Sequence, residues 1–181
     1  MANVGKWAVW YQDVGEPWPY GDTTSYEIGA SWLAGCALIE DWGCGPGWLR
    51  TLLPTGRYRG IDGSASPHCD VVADLTAYRS TVPGIFMRHV LEHNEAWARI
   101  LDNAVASFTE RMALILFTPE RHTTEAIAVH PGLGVPDIAF RLADLTDRFP
   151  SHVTYSVQQL PSATQYGSET ILLLERQPKL V

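Results

Sequence analysis

The sequence predicts an α/β fold in which helices cover both faces of a largely parallel β-sheet. Two observations predict it. Short apolar runs alternate along the chain with helical patterns, and two of the later runs, Met112 to Phe117 and Ile171 to Leu174, show no polar alternation. Unalternating runs are typical of strands buried on both faces. In such sheets, ligands bind at the carboxyl ends of the strands.

The first half of the chain carries three predicted strands. The first, Ala37 to Trp42, runs into a glycine-rich turn, Gly43 to Gly47. A short helix is predicted from Trp48 to Leu53. The second and third strands, Tyr58 to Asp62 and Asp70 to Asp74, each end on an aspartate. Because the connections between these strands are brief, any helices there must be stunted.

The second half begins with a fourth strand over Ile85 to Met87. Asn94 is a candidate N-cap for the helix that follows. The apolar residues of that helix recur at the i, i+3, i+4 spacing of one helical face: Trp97, Ile100, Leu101, Ala104, Val105 and Phe108.

Three further elements are predicted after the buried run that ends at Phe117. A helix follows Pro136, with four apolar residues on one stripe. Two strands then close the chain, beginning near Val153 and Ile171. No helical pattern separates them, so we expect an antiparallel hairpin whose unalternating last strand is the more central. The stripe of the helix consists of Ile138, Leu142, Leu145 and Phe149.

Length and composition indicate a single domain over residues 1–181. At 46% hydrophobic residues, the 181-residue chain can bury a substantial core. Residues 1–30 are rich in aromatic residues, glycine and proline without a sustained period, which predicts an N-terminal arm ahead of a core over 31–181. Tryptophan is concentrated at this end, since six of the seven lie in the first 48 residues: Trp7, Trp10, Trp18, Trp32, Trp42 and Trp48.

Charge and cysteine content exclude several classes of partner. Lys+Arg 13 against Asp+Glu 20 gives a net charge of -7, and no basic stripe is present, so a nucleic-acid partner is disfavoured. The three cysteines form no CxxC pair, which favours free thiols in a reducing cytoplasm. No apolar run approaches the roughly 18 residues of a membrane helix. These features predict a cytoplasmic protein without a membrane anchor; they do not predict its oligomeric state.

The glycine-rich turn is the first candidate ligand site. Gly43, Gly45 and Gly47 would let a ligand approach the backbone closely, but Trp48 occupies the third glycine position of a dinucleotide fingerprint. Asp62 lies about 20 residues further on, where a carboxylate can bind a ribose diol. The two observations together fit an adenosine-bearing ligand without a pyrophosphate.

Four motifs resemble the class I S-adenosylmethionine-dependent methyltransferases. They are Asp41 to Gly47, Gly60 to Ser64, Val72 to Leu75 and Arg88 to His93, and their order and spacing match the family from about Leu38 to Pro119. The resemblance implies a three-layer Rossmann-like sandwich with a seven-stranded, mostly parallel sheet. It also implies the strand order 3-2-1-4-5-7-6 with the last strand antiparallel, and S-adenosylmethionine as cofactor.

The resemblance also implies roles for individual residues. Asp41 and the glycine-rich turn would hold the methionine moiety of the cofactor. Asp62, at the end of the second strand, would bind the ribose hydroxyls, and Asp74 with Leu75, at the end of the third, would bind the adenine. Arg88 and His89, after the fourth strand, would lie beside the donor methyl. Carboxylates suit a donor that is a sulfonium cation with a diol and an amine. Structural alternatives stand beside these roles, since Asp62 can form a turn and Asp74 can cap a helix. The cofactor-binding residues so implied are Asp41, Trp42, Gly43, Cys44, Gly45, Asp62, Gly63, Ser64, Asp74, Leu75, Arg88 and His89.

The acceptor is predicted to be a small molecule or metabolite. No Asp-Pro-Pro-Tyr, Asn-Pro-Pro-Tyr or Pro-Cys follows the fourth strand, which disfavours methylation of DNA bases. A hydroxyl, carboxylate or amine acceptor is compatible with the sequence. His89 and His93 are the candidate bases for removing its proton. Candidate acceptor contacts are Trp18, Tyr20, Tyr26 and His122, whereas Trp7 and Trp10 are expected to cover a sheet face left bare by the stunted helices.

Two alternative functions are compatible with the sequence. His89, Glu92 and His93 match H-x-x-E-H, an inverted zincin motif, so a zinc hydrolase with Glu169 or another distant carboxylate as third ligand is one. However, the motif directly follows a predicted strand, which does not favour one continuous helix through both histidines. The methyltransferase prediction assigns no metal ligand. The second alternative is a methyltransferase-like protein that keeps the donor pocket but serves only for binding, because no catalytic base is unambiguous.

Overall fold

The computed structural model describes residues 3–13 and 15–177. Within them, the strands are β1 (Ile39–Trp42), β2 (Tyr58–Asp62), β3 (Val71–Val72), β4 (Val82–Arg88), β5 (Phe108–Leu116), β6 (Glu125–His130), β7 (Val135–Ala139), β8 (Val153–Pro161) and β9 (Ser168–Arg176). The helices are α1 (Ala8–Tyr11), α2 (Thr24–Trp32), α3 (Trp97–Ser107) and α4 (Leu142–Thr146), with 3-10 turns at Trp48–Leu52 and Leu91–His93.

The main sheet has the order β3-β2-β1-β4-β5-β9-β8. The neighbours from β3 to β5 pair in parallel, and β9 runs antiparallel to both β5 and β8. β6 and β7 form a separate antiparallel hairpin inserted after β5. When only the strands of the main sheet are counted, the order is 3-2-1-4-5-7-6, so the predicted fold class is confirmed.

Side chains of the central strands alternate between two cores. In β4, Ile85 and Met87 face a cluster shared with Ile100 and Leu101 of α3. Phe86, between them, faces the opposite cluster, which includes Tyr26 of α2. The ring of Phe86 lies directly over α2, because a Cβ on Gly29 would be only 2.4 Å from Phe86 Cε2. The sheet is therefore buried on both faces, as the unalternating runs predict.

The prediction that a helix directly follows Pro136 is wrong. Residues Val135–Ala139 form β7, with Pro136 paired to Val129 of β6, and the helix that follows covers only Leu142–Thr146. Gly132 and Gly134 have positive φ angles, 90° and 62°, which allow the chain to reverse between β6 and β7. Cross-strand pairing therefore overrides a helical spacing of apolar residues.

Several predicted boundaries also move. Asn94 does not cap α3: its side chain donates to the Val90 carbonyl, and the helix begins at Trp97. Phe108, predicted as helical, is the first residue of β5. The predicted end of the N-terminal arm at residue 30 falls inside α2. The single domain itself stays a prediction.

The connections between the first four strands are short, as expected. A 3-10 turn, Trp48–Leu52, follows β1, and no α-helix lies between β2 and β4 in the described part of the chain. Cys36, Cys44 and Cys69 are free thiols. Among the residues that the structure describes, no helix has both the length and the apolar character needed to cross a bilayer.

Candidate active site

A cavity of about 440 Å³ opens at the carboxyl ends of β1, β2 and β4. Parallel strands place their carboxyl ends at one edge of a sheet, so side chains that are distant in sequence meet there. The cavity is lined by most of the residues that the sequence predicts for the site: Asp41, Gly43, Cys44, Asp62, Gly63, Asp74, Leu75, Arg88, His89, His93, Tyr20 and Tyr26.

The glycine-rich turn after β1 is tied to the end of β2. The Gly45 N–H donates to Asp62 Oδ2 over 3.0 Å, and the Ser64 N–H donates to Asp62 Oδ1 over 2.7 Å. Gly43 has a positive φ of 79°, and a Cβ there would lie 2.3 Å from Val90 Cγ2. Only glycine allows this close approach between the turn and the segment after β4.

Two buried carboxylates face the cavity beside this turn. The pKa of Asp41 is raised to about 7, mainly by burial; a hydrogen bond from Tyr58 opposes the rise, and the charge of Asp62 adds to it. Burial also raises the pKa of Asp62, although the N–H groups of Gly45 and Ser64 oppose the rise. A bound cation would favour the ionised form of both groups.

Asp74 serves a structural role and also reaches the cavity. Its Oδ1 accepts hydrogen bonds from the Thr76 backbone N–H over 2.8 Å and from the Thr76 hydroxyl over 2.7 Å, which caps the turn after β3. Its side chain is half-buried and lines the cavity with Leu75. Asp74 therefore caps a turn through Oδ1 rather than a helix, and its side chain still lines the cavity.

The end of β4 carries a buried network of charged groups. Arg88 Nη2 donates to Glu169 Oε1 over 2.6 Å, and Arg88 Nε donates to the Ser25 hydroxyl over 2.9 Å. His89 Nε2 lies 2.6 Å from the same Glu169 oxygen. Burial lowers the pKa of His89 to about 4, despite that carboxylate. His89 is therefore neutral at pH 7 and donates its Nε2–H to Glu169.

A second histidine network lies at the hairpin side of the cavity. His93 Nδ1 is 3.1 Å from the Pro136 carbonyl oxygen and 3.3 Å from Asp137 Oδ1. The Tyr166 hydroxyl, from the loop between β8 and β9, donates to Asp137 Oδ2 over 2.8 Å. The His93 ring lies between Trp7 and Phe117, with both ring centroids 5.3 Å away.

The geometry does not support the zinc hydrolase. His89 has a φ of 57°, so no continuous helix passes through both histidines, and their rings face different partners. Glu92 Oε1 accepts a hydrogen bond from the Phe117 N–H over 2.7 Å instead of facing the cavity. No group of three or more potential metal ligands is found in ranges 3–13 and 15–177.

The N-terminal arm crosses the cavity. The Gly5 N–H donates to the Gly63 carbonyl over 2.8 Å, and the Trp7 N–H donates to the Ser64 hydroxyl over 3.1 Å. The Trp7 ring reaches His130 of the β6–β7 hairpin, 5.9 Å away. The expectation that Trp7 and Trp10 cover a sheet face is wrong, because both line the cavity. The arm thus lines the cavity beside the carboxyl end of β2.

Five predicted site residues do not line the cavity. Trp42 is buried in the core with its indole N–H on Glu40. Trp18 is 40% exposed and packs against Tyr20, and His122 is exposed between β5 and β6. Gly45 and Ser64 instead donate backbone hydrogen bonds to Asp62, and the Ser64 hydroxyl accepts from the Trp7 N–H of the arm.

The sequence interpretation missed several residues that the tertiary structure brings to the site. Phe117, Asp137, His130 and Tyr11 line the cavity, and Tyr166 reaches it through Asp137. A signal existed for Asp137, because a single acid stands in the otherwise uncharged run from Val135 to Phe140. Buried acids of that kind need a specific partner.

The chain is similar to several solved structures. No protein-family model matches it, and no curated protein does. It is similar to the 1,6-didemethyltoxoflavin-N1-methyltransferase of Burkholderia thailandensis, with bound 1,6-didemethyltoxoflavin and S-adenosylhomocysteine (17% identity, 85% of this chain, 77% of that chain, TM-score 0.65).

Two further structures extend the likeness. One is the magnesium protoporphyrin IX methyltransferase of Synechocystis with bound S-adenosylhomocysteine (16% identity, 93% of this chain, 92% of that chain, TM-score 0.65). The other is an N-methyltransferase of Bradyrhizobium japonicum in complex with S-adenosylhomocysteine (12% identity, 86% of this chain, 85% of that chain, TM-score 0.56). At these identities the comparison shows a shared fold.

Proposed function

We propose that this chain, which has the fold of the class I S-adenosylmethionine-dependent methyltransferases, transfers a methyl group from S-adenosylmethionine to a small-molecule acceptor. One observation carries the proposal: Asp41, Asp62 and Asp74 end or follow three adjacent parallel strands and line one cavity. Asp41 and Asp62 are buried with raised pKa values, which favours a cationic ligand that would keep them ionised. A sulfonium donor with a protonated amine meets that requirement.

The cofactor contacts follow the order of the strands. Asp41 and the turn from Gly43 to Gly45 would hold the methionine part, and Asp62 would accept from the ribose hydroxyls with the lone pairs that Gly45 and Ser64 leave free. Asp74 and Leu75 would hold the adenine. When bound, the cofactor supplies a methyl group on a positively charged sulfur. The chain would mainly hold the acceptor in line with that carbon.

A small acceptor is supported by charge and by the wall of the cavity. The net charge of -7 opposes a polyanionic acceptor. Aromatic side chains of the arm and Phe117, which follows β5, line the cavity, which suits a compact, partly apolar molecule. Two of the similar structures act on small molecules, a didemethyltoxoflavin and magnesium protoporphyrin IX. The cytoplasm is the location that we propose, because the three cysteines are free.

Of the two predicted bases, we propose His93. His89 is a weak base, since burial lowers its pKa to about 4 and its Nε2–H is held by Glu169. The pKa of His93 is raised: burial lowers it, but the hydrogen bond to Asp137 and the charge of Glu92 outweigh burial. Arg88 and His89 would then form the wall beside the donor methyl.

Calorimetric titration with S-adenosylhomocysteine tests the proposal. We expect binding by the wild-type protein and a loss of about tenfold or more in Asp62→Ala, because a charged hydrogen-bond acceptor is removed. Asp102→Ala, which removes an exposed carboxylate on α3, is the matched control and should bind normally. Absence of heat with the folded wild-type protein would refute the proposal.

The binding-protein alternative makes a different prediction. A binding protein keeps the donor pocket and lacks turnover. S-adenosylhomocysteine would therefore bind to it in the calorimeter, but incubation with S-adenosylmethionine and a broad panel of acceptors would release no S-adenosylhomocysteine. Formation with any acceptor in the panel would exclude it. No observation in the site favours the zinc hydrolase over either of these functions.

A further inference from the structure

We infer that Asp137 is a positioning residue that fixes His93 with its Nε2 free to accept a proton from the acceptor. The inference rests on the proposed function and extends it to the chemistry of the acceptor. Asp137 lies on β7 of the inserted hairpin, and His93 lies on the 3-10 turn after β4. Both side chains line the cavity.

The hydrogen bonds around His93 define its neutral form. Nδ1 has two neighbours within reach, the Pro136 carbonyl oxygen at 3.1 Å and Asp137 Oδ1 at 3.3 Å. A carbonyl oxygen and an ionised carboxylate can only accept hydrogen bonds. Nδ1 must therefore carry the hydrogen, and the unprotonated nitrogen of neutral His93 is Nε2.

Asp137 is itself held in place. Its other oxygen, Oδ2, accepts from the Tyr166 hydroxyl over 2.8 Å. The hydrogen bond from His93 lowers the pKa of Asp137, with support from Tyr166, so the carboxylate is ionised at neutral pH. Burial raises the pKa of Tyr166 to about 12, so the phenol is protonated and donates. The segments that carry His93, Asp137 and Tyr166 thus form one polar network at the His93 imidazole.

Other titratable groups around His93 do not replace Asp137. Glu92, on the same turn, is buried with its pKa raised to about 7 and is directed at the Phe117 N–H. His89 is neutral, and His130 packs against the Trp7 ring, with the ring centroids 5.9 Å apart. Asp137 is therefore the ionised group that pairs with the His93 ring, with its Oδ1 3.3 Å from Nδ1.

A positioned base indicates an acceptor that loses a proton, such as a hydroxyl or N–H group, rather than a carboxylate that is already ionised. In the transfer, the acceptor atom forms a bond to the methyl carbon, and the carbon–sulfur bond breaks with its electron pair on sulfur. The acceptor's proton moves to His93 Nε2. The positive charge of the sulfonium thus ends as an imidazolium beside Asp137, and both atoms and charges balance.

Nitrogen NMR of imidazole-labelled protein tests the inference without an acceptor. His93→Gln identifies the His93 signals among the six histidines. We expect wild-type His93 to be protonated at Nδ1 in its neutral form. In Asp137→Asn its pKa should fall by about 1, because an opposite charge is lost at hydrogen-bond distance. Asp137→Glu should recover at least half of that change, and Asp102→Asn, far from the site, should leave the pKa unchanged.

Each outcome decides the inference. A neutral His93 protonated at Nε2 in the wild-type protein would overturn it without any variant, and so would an unchanged His93 pKa in folded Asp137→Asn. The proposed function fails separately, since it depends on binding of S-adenosylhomocysteine in the calorimeter. If the protein binds S-adenosylhomocysteine but neutral His93 is protonated at Nε2, the proposed function stands and the inference about Asp137 is refuted.

Discussion

Arg88 and Glu169 form a buried ion pair that joins the parallel half of the sheet to its antiparallel strand. Arg88 Nη2 and Glu169 Oε1 are 2.6 Å apart, and both side chains are at most 2% exposed. Because β9 runs antiparallel to β5, its first residues lie beside the carboxyl end of β5, which is next to the carboxyl end of β4. A residue 81 positions later in the chain can therefore complete the site wall.

Removing one partner of this pair should destabilise the fold. Glu169→Gln would leave the Arg88 charge buried without its carboxylate, so we expect the free energy of unfolding to fall by about 3–5 kcal/mol. Denaturant unfolding measures the loss. Glu175→Gln breaks the pair with Arg111, whose side chains are 36% and 39% exposed, and should cost less than about 1 kcal/mol. Equal losses in the two variants would contradict the prediction.

The raised pKa of Asp41 should make stability depend on pH. Because folding raises this pKa from 3.8 to about 7, the folded state holds more protons than the unfolded state between these values. The free energy of unfolding therefore falls as pH rises through this window. Asp41→Asn cannot ionise, so its stability relative to wild type should improve by about 1–3 kcal/mol between pH 5 and pH 8.

Denaturant unfolding of both proteins at several pH values checks this expectation. Glu92, whose pKa is also raised, contributes equally to both proteins and cancels in the difference, whereas the interaction of Asp62 with Asp41 is part of the difference that is measured. Asp102→Asn serves as a control in which an exposed carboxylate is removed. A difference between Asp41→Asn and wild type that stays constant with pH would show that Asp41 is ionised throughout.

Replacement of Gly43 by alanine should destabilise the fold, because the new side chain would clash with Val90. In Gly43→Ala the new Cβ would meet Val90 Cγ2 at 2.3 Å and would also hold a positive φ of 79°. Overpacking and backbone strain together predict a loss of about 2–5 kcal/mol. In a Val90→Ala background the clash disappears while the strain persists, so the loss should be smaller by about 1–3 kcal/mol. Unfolding of the four proteins in this cycle gives the coupling, and a coupling of zero would contradict the close approach of Val90 to Gly43.

Cys69 should be the most reactive thiol. A hydrogen bond from Cys44 lowers the pKa of Cys69 more than burial raises it, whereas burial raises the pKa of Cys36 to about 11. The pKa of Cys44 is also raised, with the bond to Cys69 as the largest cause. Iodoacetamide at pH 7 followed by mass spectrometry should therefore find Cys69 modified first, since the thiolate is the nucleophile. Cys69→Ser should lose the fast phase, and faster modification of Cys36 or Cys44 would refute the assignment.

Local sequence patterns predicted the elements of the parallel half well. β1, the glycine turn and β2 were identified because each is a short apolar run ending in turn residues, with few long-range choices. The region after β5 was less predictable. Ile138 and Leu142 fit a helical spacing, yet β7 forms because β6 is available to pair with it. A periodicity cannot indicate whether a partner strand will be present.

The common edge of Asp41, Asp62, Asp74 and Arg88 follows from the sequence pattern alone, because parallel strands bring the residues at their carboxyl ends together whatever lies between them. The other groups that complete the cavity depend on long-range packing. Asp137 depends on an inserted hairpin, Glu169 on the antiparallel course of β9, and Trp7 on an arm anchored at Ser64. These contacts join segments far apart in the chain, so packing fixes them and local propensity does not.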